Sequence, residues 1–223
     1  MLSTYSFPYL VDFFTGNSIP EFSRGFWHTN HPLNTDFKTK LQLDIDEMQQ
    51  ELDSGKPRSE WKSLAYANSY MTDLLVEIDT QNNGLLRTYL CNYTVDVCYL
   101  FGTKYCAVTR NSQTWHHDSV GRRLKMFCVL EDDKEPTLRI EQNSNESRIF
   151  NPVLKKAGRD KYVPSDNITE LALKNDQLYF IDTNFMHSGV AGRPESKRIA
   201  FVCEISNKLK NFARGSVGVR QEP

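Results

Sequence analysis

Trp115-His116-His117-Asp118-Ser119-Val120-Gly121 is the stretch on which the reading of this chain turns. Three ionisable side chains in a row, fenced by a tryptophan and a glycine, are unusual in a purely structural segment. In an extended strand, side chains at i and i+2 project from one face. His116 and Asp118 then bring an imidazole nitrogen and a carboxylate oxygen toward one metal ion, while His117 points the other way. Two ligands do not complete a site, so a third has to come from elsewhere.

Downstream there is one isolated histidine, His187, in Tyr179-Phe180-Ile181-Asp182-Thr183-Asn184-Phe185-Met186-His187-Ser188-Gly189. It follows a strong strand signal and is expected at a strand end facing a glycine-containing turn. Together His116, Asp118 and His187 make a two-histidine, one-carboxylate set. Such a facial triad with open positions favours non-haem Fe(II) and oxygen chemistry. Zinc with a bound water accepts the same donors. Arg198 separates the two readings. It lies 198 − 187 = 11 positions on and begins Arg198-Ile199-Ala200-Phe201-Val202-Cys203-Glu204. Alternation puts Arg198, Ala200 and Val202 on one face and Ile199, Phe201 and Cys203 on the other. An arginine flanked by small residues can overlie a cavity, and its planar fork suits a carboxylate. A dicarboxylate co-substrate at the metal needs that grip, whereas a zinc hydrolase has no evident use for it.

The order His116-x-Asp118, then Asp176 to Asp182 leading to His187, then Arg198 resembles the phytanoyl-CoA dioxygenase-like family, a branch of the Fe(II)/2-oxoglutarate-dependent oxygenases. The resemblance covers residues 100–206. It implies a double-stranded β-helix (jelly roll) supported by helices. It also implies that His116, Asp118 and His187 hold Fe(II) and that Arg198 binds the distal carboxylate of 2-oxoglutarate. O2 is then the second co-substrate, succinate and CO2 are released, and a C–H bond of a small molecule is hydroxylated. The family's Gly-Ser-His turn is absent from Thr137-Leu138-Arg139-Ile140-Glu141-Gln142-Asn143-Ser144-Asn145. Thr137 and Ser188 are left as candidate helpers for 2-oxoglutarate. Asp118 is intact, which argues against the halogenating branch.

Outward from these motifs, short β-rich runs follow Gly84: Leu85–Leu90, Val95–Leu100, Tyr105–Thr109, Leu124–Leu130, Thr137–Ile140, Asp176–Asp182 and Arg198–Ile205. Turn clusters separate them, a pattern of antiparallel sandwiches and barrels. Before Gly84 the pattern is helical. Leu41, Leu43, Ile45, Met48 and Leu52 suggest a helix over Thr39–Leu52, ending at Asp53-Ser54-Gly55-Lys56-Pro57. A second helix is expected from Ser59, with Trp61, Leu64, Ala65, Met71, Leu74, Leu75 and Ile78 at helical spacing. Residues 1–40 show no period and are expected to wrap the domain. Residues 151–170 read as a loop insertion over one face. The fold class is therefore α+β, mainly β, with supporting N-terminal helices, and the whole chain, 1–223, is read as one oxygenase-like domain.

Composition narrows the function. With 27 Lys and Arg against 28 Asp and Glu, the formal net charge of −1 gives no basic field for a nucleic-acid backbone. The N-terminus lacks a signal-peptide pattern and no apolar run reaches spanning length, so the chain reads as cytoplasmic, without a membrane partner. Cys91, Cys98, Cys106, Cys128 and Cys203 include no CxxC pair and are expected as buried free thiols. His28 and His31 lack a visible partner ligand. Arg122 and Arg123 fit a solvated turn or a contact to an anionic substrate equally well. A jelly-roll binding protein without turnover is the competing class, and the substrate itself is not legible.

Overall fold

The computed structural model describes residues 25–54, 60–90, 92–104, 115, 123–132, 137–141, 166–183, 185–190 and 197–207. Helix α1 spans Thr35–Asp53, with Phe37, Leu41, Ile45, Met48 and Leu52 buried. Their spacing of four or three residues makes one apolar stripe. It starts four residues earlier than the apolar spacing alone suggests, because the Asn34 side chain accepts from Asp36 N at 2.7 Å and caps it. Helix α2, Ala67–Gln81, buries Ala67, Met71, Leu74, Leu75 and Ile78. Asn83 and Gly84, at φ +56° and +74°, stop it in the left-handed region.

The next run, Leu85–Leu90, is a short helix, α3, where a strand was expected. The cause is Asp79 on the preceding helix. Its fully buried carboxylate accepts from Leu86 N at 2.7 Å and Arg87 N at 3.1 Å. Those are orphan donors of a helix start, and satisfying them favours a helical turn.

Nine strands follow in chain order among the described residues: β1 (Phe26–Thr29), β2 (Glu60–Ser63), β3 (Tyr93–Lys104), β4 (Arg123–Asp132), β5 (Thr137–Glu141), β6 (Ile168–Ala172), β7 (Leu178–Asp182), β8 (His187–Val190) and β9 (Lys197–Asn207). They form a larger sheet in the order β1-β7-β4-β9-β3-β2 and a smaller one in the order β6-β5-β8. The named strand pairs are all antiparallel. From β4 onward the chain passes to the smaller sheet at β5 and β6, returns at β7, passes over again at β8 and returns at β9. Two expectations change here. Glu60–Ser63, expected inside a helix, pairs with Tyr99–Gly102 of β3, and Phe26–Thr29, expected to be an aperiodic wrap, extends the larger sheet beside β7. Of the expected loop 151–170, residues 168–170 belong to β6, and 151–165 lie outside the described residues, as does the expected strand Tyr105–Thr109.

The larger sheet is covered on both sides. Toward the helices it presents Cys98, Leu100, Leu124, Met126, Cys128, Leu178, Phe180, Ile199 and Phe201, which pack with the stripes of α1, α2 and α3. The approach is close enough that a Cβ at Gly102 would fall 2.6 Å from Met48 Sδ. Toward the smaller sheet it presents Val129, Tyr179 and Ile181, which pack with Leu138 and Ile140 of β5. Cys98, Cys128 and Cys203 are buried free thiols, and burial pushes the Cys128 thiol up to about 12. Cys91 and Cys106 lie outside the described residues. No described helix is long and apolar enough to cross a membrane.

Replacing Asp79 by Ala leaves two N–H donors of α3 without their acceptor. An expected loss of about 2 kcal/mol would lower Tm by roughly 4–8 °C. Asp73→Ala, on the exposed face of the same helix, is expected to shift Tm by less than about 2 °C in the same calorimetry. Equal effects of the two would remove the capping role.

Candidate functional site

His187 opens β8 rather than ending the strand before it. Its cross-strand partner is Ile140, so the two side chains share the face that packs between the sheets. The ring is buried, and its Nδ1 lies 2.8 Å from the carbonyl oxygen of Phe185. A carbonyl only accepts, so Nδ1 carries the proton and donates, which in the neutral form of the ring puts the lone pair on Nε2. That is the tautomer a metal ligand needs, with its orientation fixed by the second nitrogen.

The segment before His187 is held from the helix side. Tyr89 of α3 donates its hydroxyl to the buried carboxyl of Asp182 at the end of β7. Phe185 N then donates to Asp182 O at 3.1 Å, closing the turn.

Arg198 stands near the start of β9, with Ala200 and Val202 on its face, as alternation requires. Ile199, Phe201 and Cys203 face the helices. Arg198 is buried, 6% exposed, and its guanidinium carbon lies 5.9 Å from the centroid of Phe127. Phe127 is opposite Val202, while Arg198 itself is opposite Thr103 and Asp132. The long side chain therefore runs inward along the sheet past Ala200. Phe127 touches both the cluster between the sheets and the one around Val202. His187 and Arg198 thus project into the same interior from opposite sheets. Next to each on that face is a small residue, Gly189 beside His187 and Ala200 beside Arg198.

Farther along the larger sheet the interior face turns polar again. Glu204 and Lys125 are cross-strand partners, their charged groups 3.8 Å apart, and Tyr99 donates to Glu204 Oε1 at 3.3 Å. Phe127, Glu204, Lys125 and Tyr99 belong to none of the motifs legible in the sequence. Extending the Arg198–Ala200–Val202 alternation by one step would have placed Glu204. Lys125, Phe127 and Val129 alternate in the same way on β4, but that they stand opposite Glu204, Val202 and Ala200 is set by strand pairing.

Thr137 and Ser188 fall elsewhere. Ser188 pairs with Arg139, and Thr137 shares that parity on β5, on the outer face where Arg139 meets Glu170 at 2.6 Å. A side chain there points away from His187. His116, Asp118, His117 and Arg122 lie outside the described residues, and Trp115 is half-buried. Among the described residues no three His, Cys, Asp or Glu side chains group as a metal site. His31 is taken up by Glu77 at 3.2 Å, and His28 lies exposed near Tyr179, so neither joins the interior.

No protein-family model matches the chain, and no curated protein matches it in sequence. In fold it is similar to HygX from Streptomyces hygroscopicus with nickel and 2-oxoglutarate bound, at TM-score 0.54 and 12% identity over 83% of this chain and 84% of that one. It is also similar to SnoN, a non-heme alpha ketoglutarate dependent epimerase from nogalamycin biosynthesis, at TM-score 0.54 and 12% identity over 90% and 84%. SnoK, a carbocyclase of the same dependence and biosynthesis, gives TM-score 0.54 and 11% identity over 87% and 88%. At these identities the likeness is one of fold.

Tyr89→Phe removes the donor to the buried Asp182 carboxyl while keeping the ring. A loss of about 1–3 kcal/mol in urea unfolding is expected, with the m-value unchanged. Wild-type stability in that variant would show that the contact does not hold the β7 end.

Proposed function

We propose that the chain is an Fe(II)- and 2-oxoglutarate-dependent oxygenase built as one domain on a double-stranded β-helix (jelly roll). It hydroxylates a C–H bond of a small molecule. The observation that carries this reading is that His187 and Arg198 face the space between the two sheets, one from each sheet. The passage of β4 to β9 back and forth between the sheets supports the jelly roll, as does the likeness in fold to HygX, SnoN and SnoK. HygX is a protein with nickel and 2-oxoglutarate bound, and SnoN and SnoK are alpha ketoglutarate dependent. The motif order resembles that of the phytanoyl-CoA dioxygenase-like branch, and the proposal follows that resemblance.

The donor set fits an iron of this type. His187, with Nδ1 turned to the Phe185 carbonyl, would offer Nε2 to the metal, and His116 and Asp118 would supply the imidazole and carboxylate that complete the triad. When bound, the iron supplies oxidising chemistry in which 2-oxoglutarate and O2 become succinate and CO2 as the substrate is hydroxylated. The chain's own residues do the rest. Arg198 grips the distal carboxylate of 2-oxoglutarate with its guanidinium fork, and the Phe127 ring supports the cation. Ala200 and Gly189 leave room between that grip and the metal, while Val129, Val202 and Phe127 line it with apolar surface that excludes water. Glu204, Lys125 and Tyr99, beyond this belt, face a substrate with polar groups. Thr137 and Ser188, on the outer face, are assigned no contact with 2-oxoglutarate.

Three measurements test the reading. His116→Ala, Asp118→Ala and His187→Ala should each lose most of the bound Fe(II) or Mn(II); normal metal content in any of them removes that residue as a ligand. Arg198→Ala should keep its iron yet bind 2-oxoglutarate roughly 30-fold more weakly or worse, since losing a buried charge-assisted pair costs about 2–5 kcal/mol. Arg198→Lys should recover only part of this, lacking the planar fork. The readout is an oxygen-free 2-oxoglutarate titration of the Fe(II) protein, followed by its metal-to-ligand charge-transfer band. Identical curves for wild type and Arg198→Ala, or no band in wild type, would refute the co-substrate. Metal-dependent ligand binding without succinate release would mark the chain as a jelly-roll binding protein instead.

A further inference from the structure

We propose that Gly25 is a positioning residue for His187, acting through Phe185 to set which ring nitrogen faces the metal. The inference rests on His187 being a metal ligand. Gly25 immediately precedes β1, far from His187 in sequence, but contacts the β7–β8 turn in two ways. Its carbonyl oxygen accepts from Asp182 N at 2.8 Å, at the start of the turn. Its Cα face abuts the turn's other end. A Cβ at position 25 would lie 2.7 Å from Phe185 Cγ, 2.9 Å from Phe185 Cδ1 and 3.1 Å from Ile140 Cγ2.

Both neighbours bear on His187. Phe185, fully buried, supplies the carbonyl that accepts from His187 Nδ1, and Ile140 is the cross-strand partner of His187. At separations below 3.0 Å something has to move. The Phe185 ring is packed in the cluster between the sheets, so the displacement passes to the Phe185 backbone and its carbonyl. Gly25 also has φ +78°, where a side chain is strained. A residue with no Cβ thus lets the N-terminal strand press against the turn. The turn in turn holds an acceptor at 2.8 Å from Nδ1. A carbonyl in that place selects the Nδ1–H tautomer and leaves the lone pair on Nε2.

The test compares Gly25→Ala with Gly84→Ala. Gly84 has φ +74° and nothing within 4 Å of where its Cβ would be, so the second variant carries the same backbone strain without the Phe185 contact. Two readouts are taken. The first is the ¹⁵N shifts of the His187 ring in the metal-free protein, recorded over a pH series, which report the tautomer directly. The second is a Co(II) titration followed by electronic absorption. Wild type and Gly84→Ala are expected to share a single Nδ1–H tautomer and the same Co(II) affinity. Gly25→Ala is expected to show a mixed or reversed tautomer and at least about tenfold weaker Co(II), the usual scale for losing a group that orients a ligand. A folded Gly25→Ala with wild-type tautomer and affinity overturns the proposal. Should that variant not fold, Phe185→Leu, which takes the ring away and leaves residue 25 intact, carries the test: an unchanged tautomer and affinity there overturn it equally. Absence of Co(II) binding in wild type would sink the oxygenase reading alone, because the tautomer comparison still decides the role of Gly25.

Discussion

Strand β9 runs through the larger sheet with helices against one face and the smaller sheet against the other, and nearly all of its residues are buried. A strand buried on both faces has no solvent side to absorb a register error. Slipping it by one residue would bring Arg198 under α1 and Phe201 into the interior. The pairing with β3 and β4 holds that register, with one bulge on each side, between Val95 and Val97 on β3 and between Val129 and Glu131 on β4. Everything that gives the interior its chemistry follows from the parity so fixed: Arg198, Ala200, Val202 and Glu204 inward, Ile199, Phe201, Cys203 and Ile205 toward the helices.

The same parity explains what could be read from the sequence. Alternation along Arg198 to Glu204 is a local property, so both faces of β9 were legible, as was the single stripe of α1. Leu85 to Leu90 was not. A short apolar run without clear alternation suits a strand or a buried helix equally, and the decision came from the Asp79 carboxylate on a neighbouring element. Glu60 to Ser63 failed for the converse reason: Trp61 and Leu64 continue a helical spacing, while pairing with β3 makes the four residues a strand. Phe26 to Thr29 carries no period because it is an edge strand of four residues, whose pairing with β7 is invisible without the fold.

Legibility of the site divides along the same line. The inward aim of Arg198 needed only the period of two. That of His187 needed the β5–β8 register, which also puts Thr137 and Ser188 on the outer face. Their hydroxyls made them reasonable as helpers by residue type, and only pairing shows where they point. His116 and Asp118 remain proposals from their spacing and from the resemblance they help to carry. Gly25 gave the weakest signal of all, a lone glycine before Phe26-Trp27, whose meaning depends on Phe185 arriving from the far end of the chain.

Arg198 is the feature that stability alone would have removed. Taking a guanidinium out of water costs several kcal/mol, which its buried surroundings, the face of Phe127 among them, have to offset. An aliphatic side chain at that place would extend the apolar surface of Val129, Ala200 and Val202 at no such cost. The fold can carry the charge because the opposite face of the same strand buries Ile199, Phe201, Cys203 and Ile205 against the helices, where full burial of each large apolar side chain contributes about 1.5–3 kcal/mol. The helical layer is thus what makes a charged interior tolerable, and a locally unfavourable residue kept at such expense is the kind of inconsistency that functional sites display. A carboxylate matches the planar fork of such a guanidinium with two parallel hydrogen bonds. The co-substrate proposed for this interior is thus one whose carboxylate suits a guanidinium held there by the parity of β9.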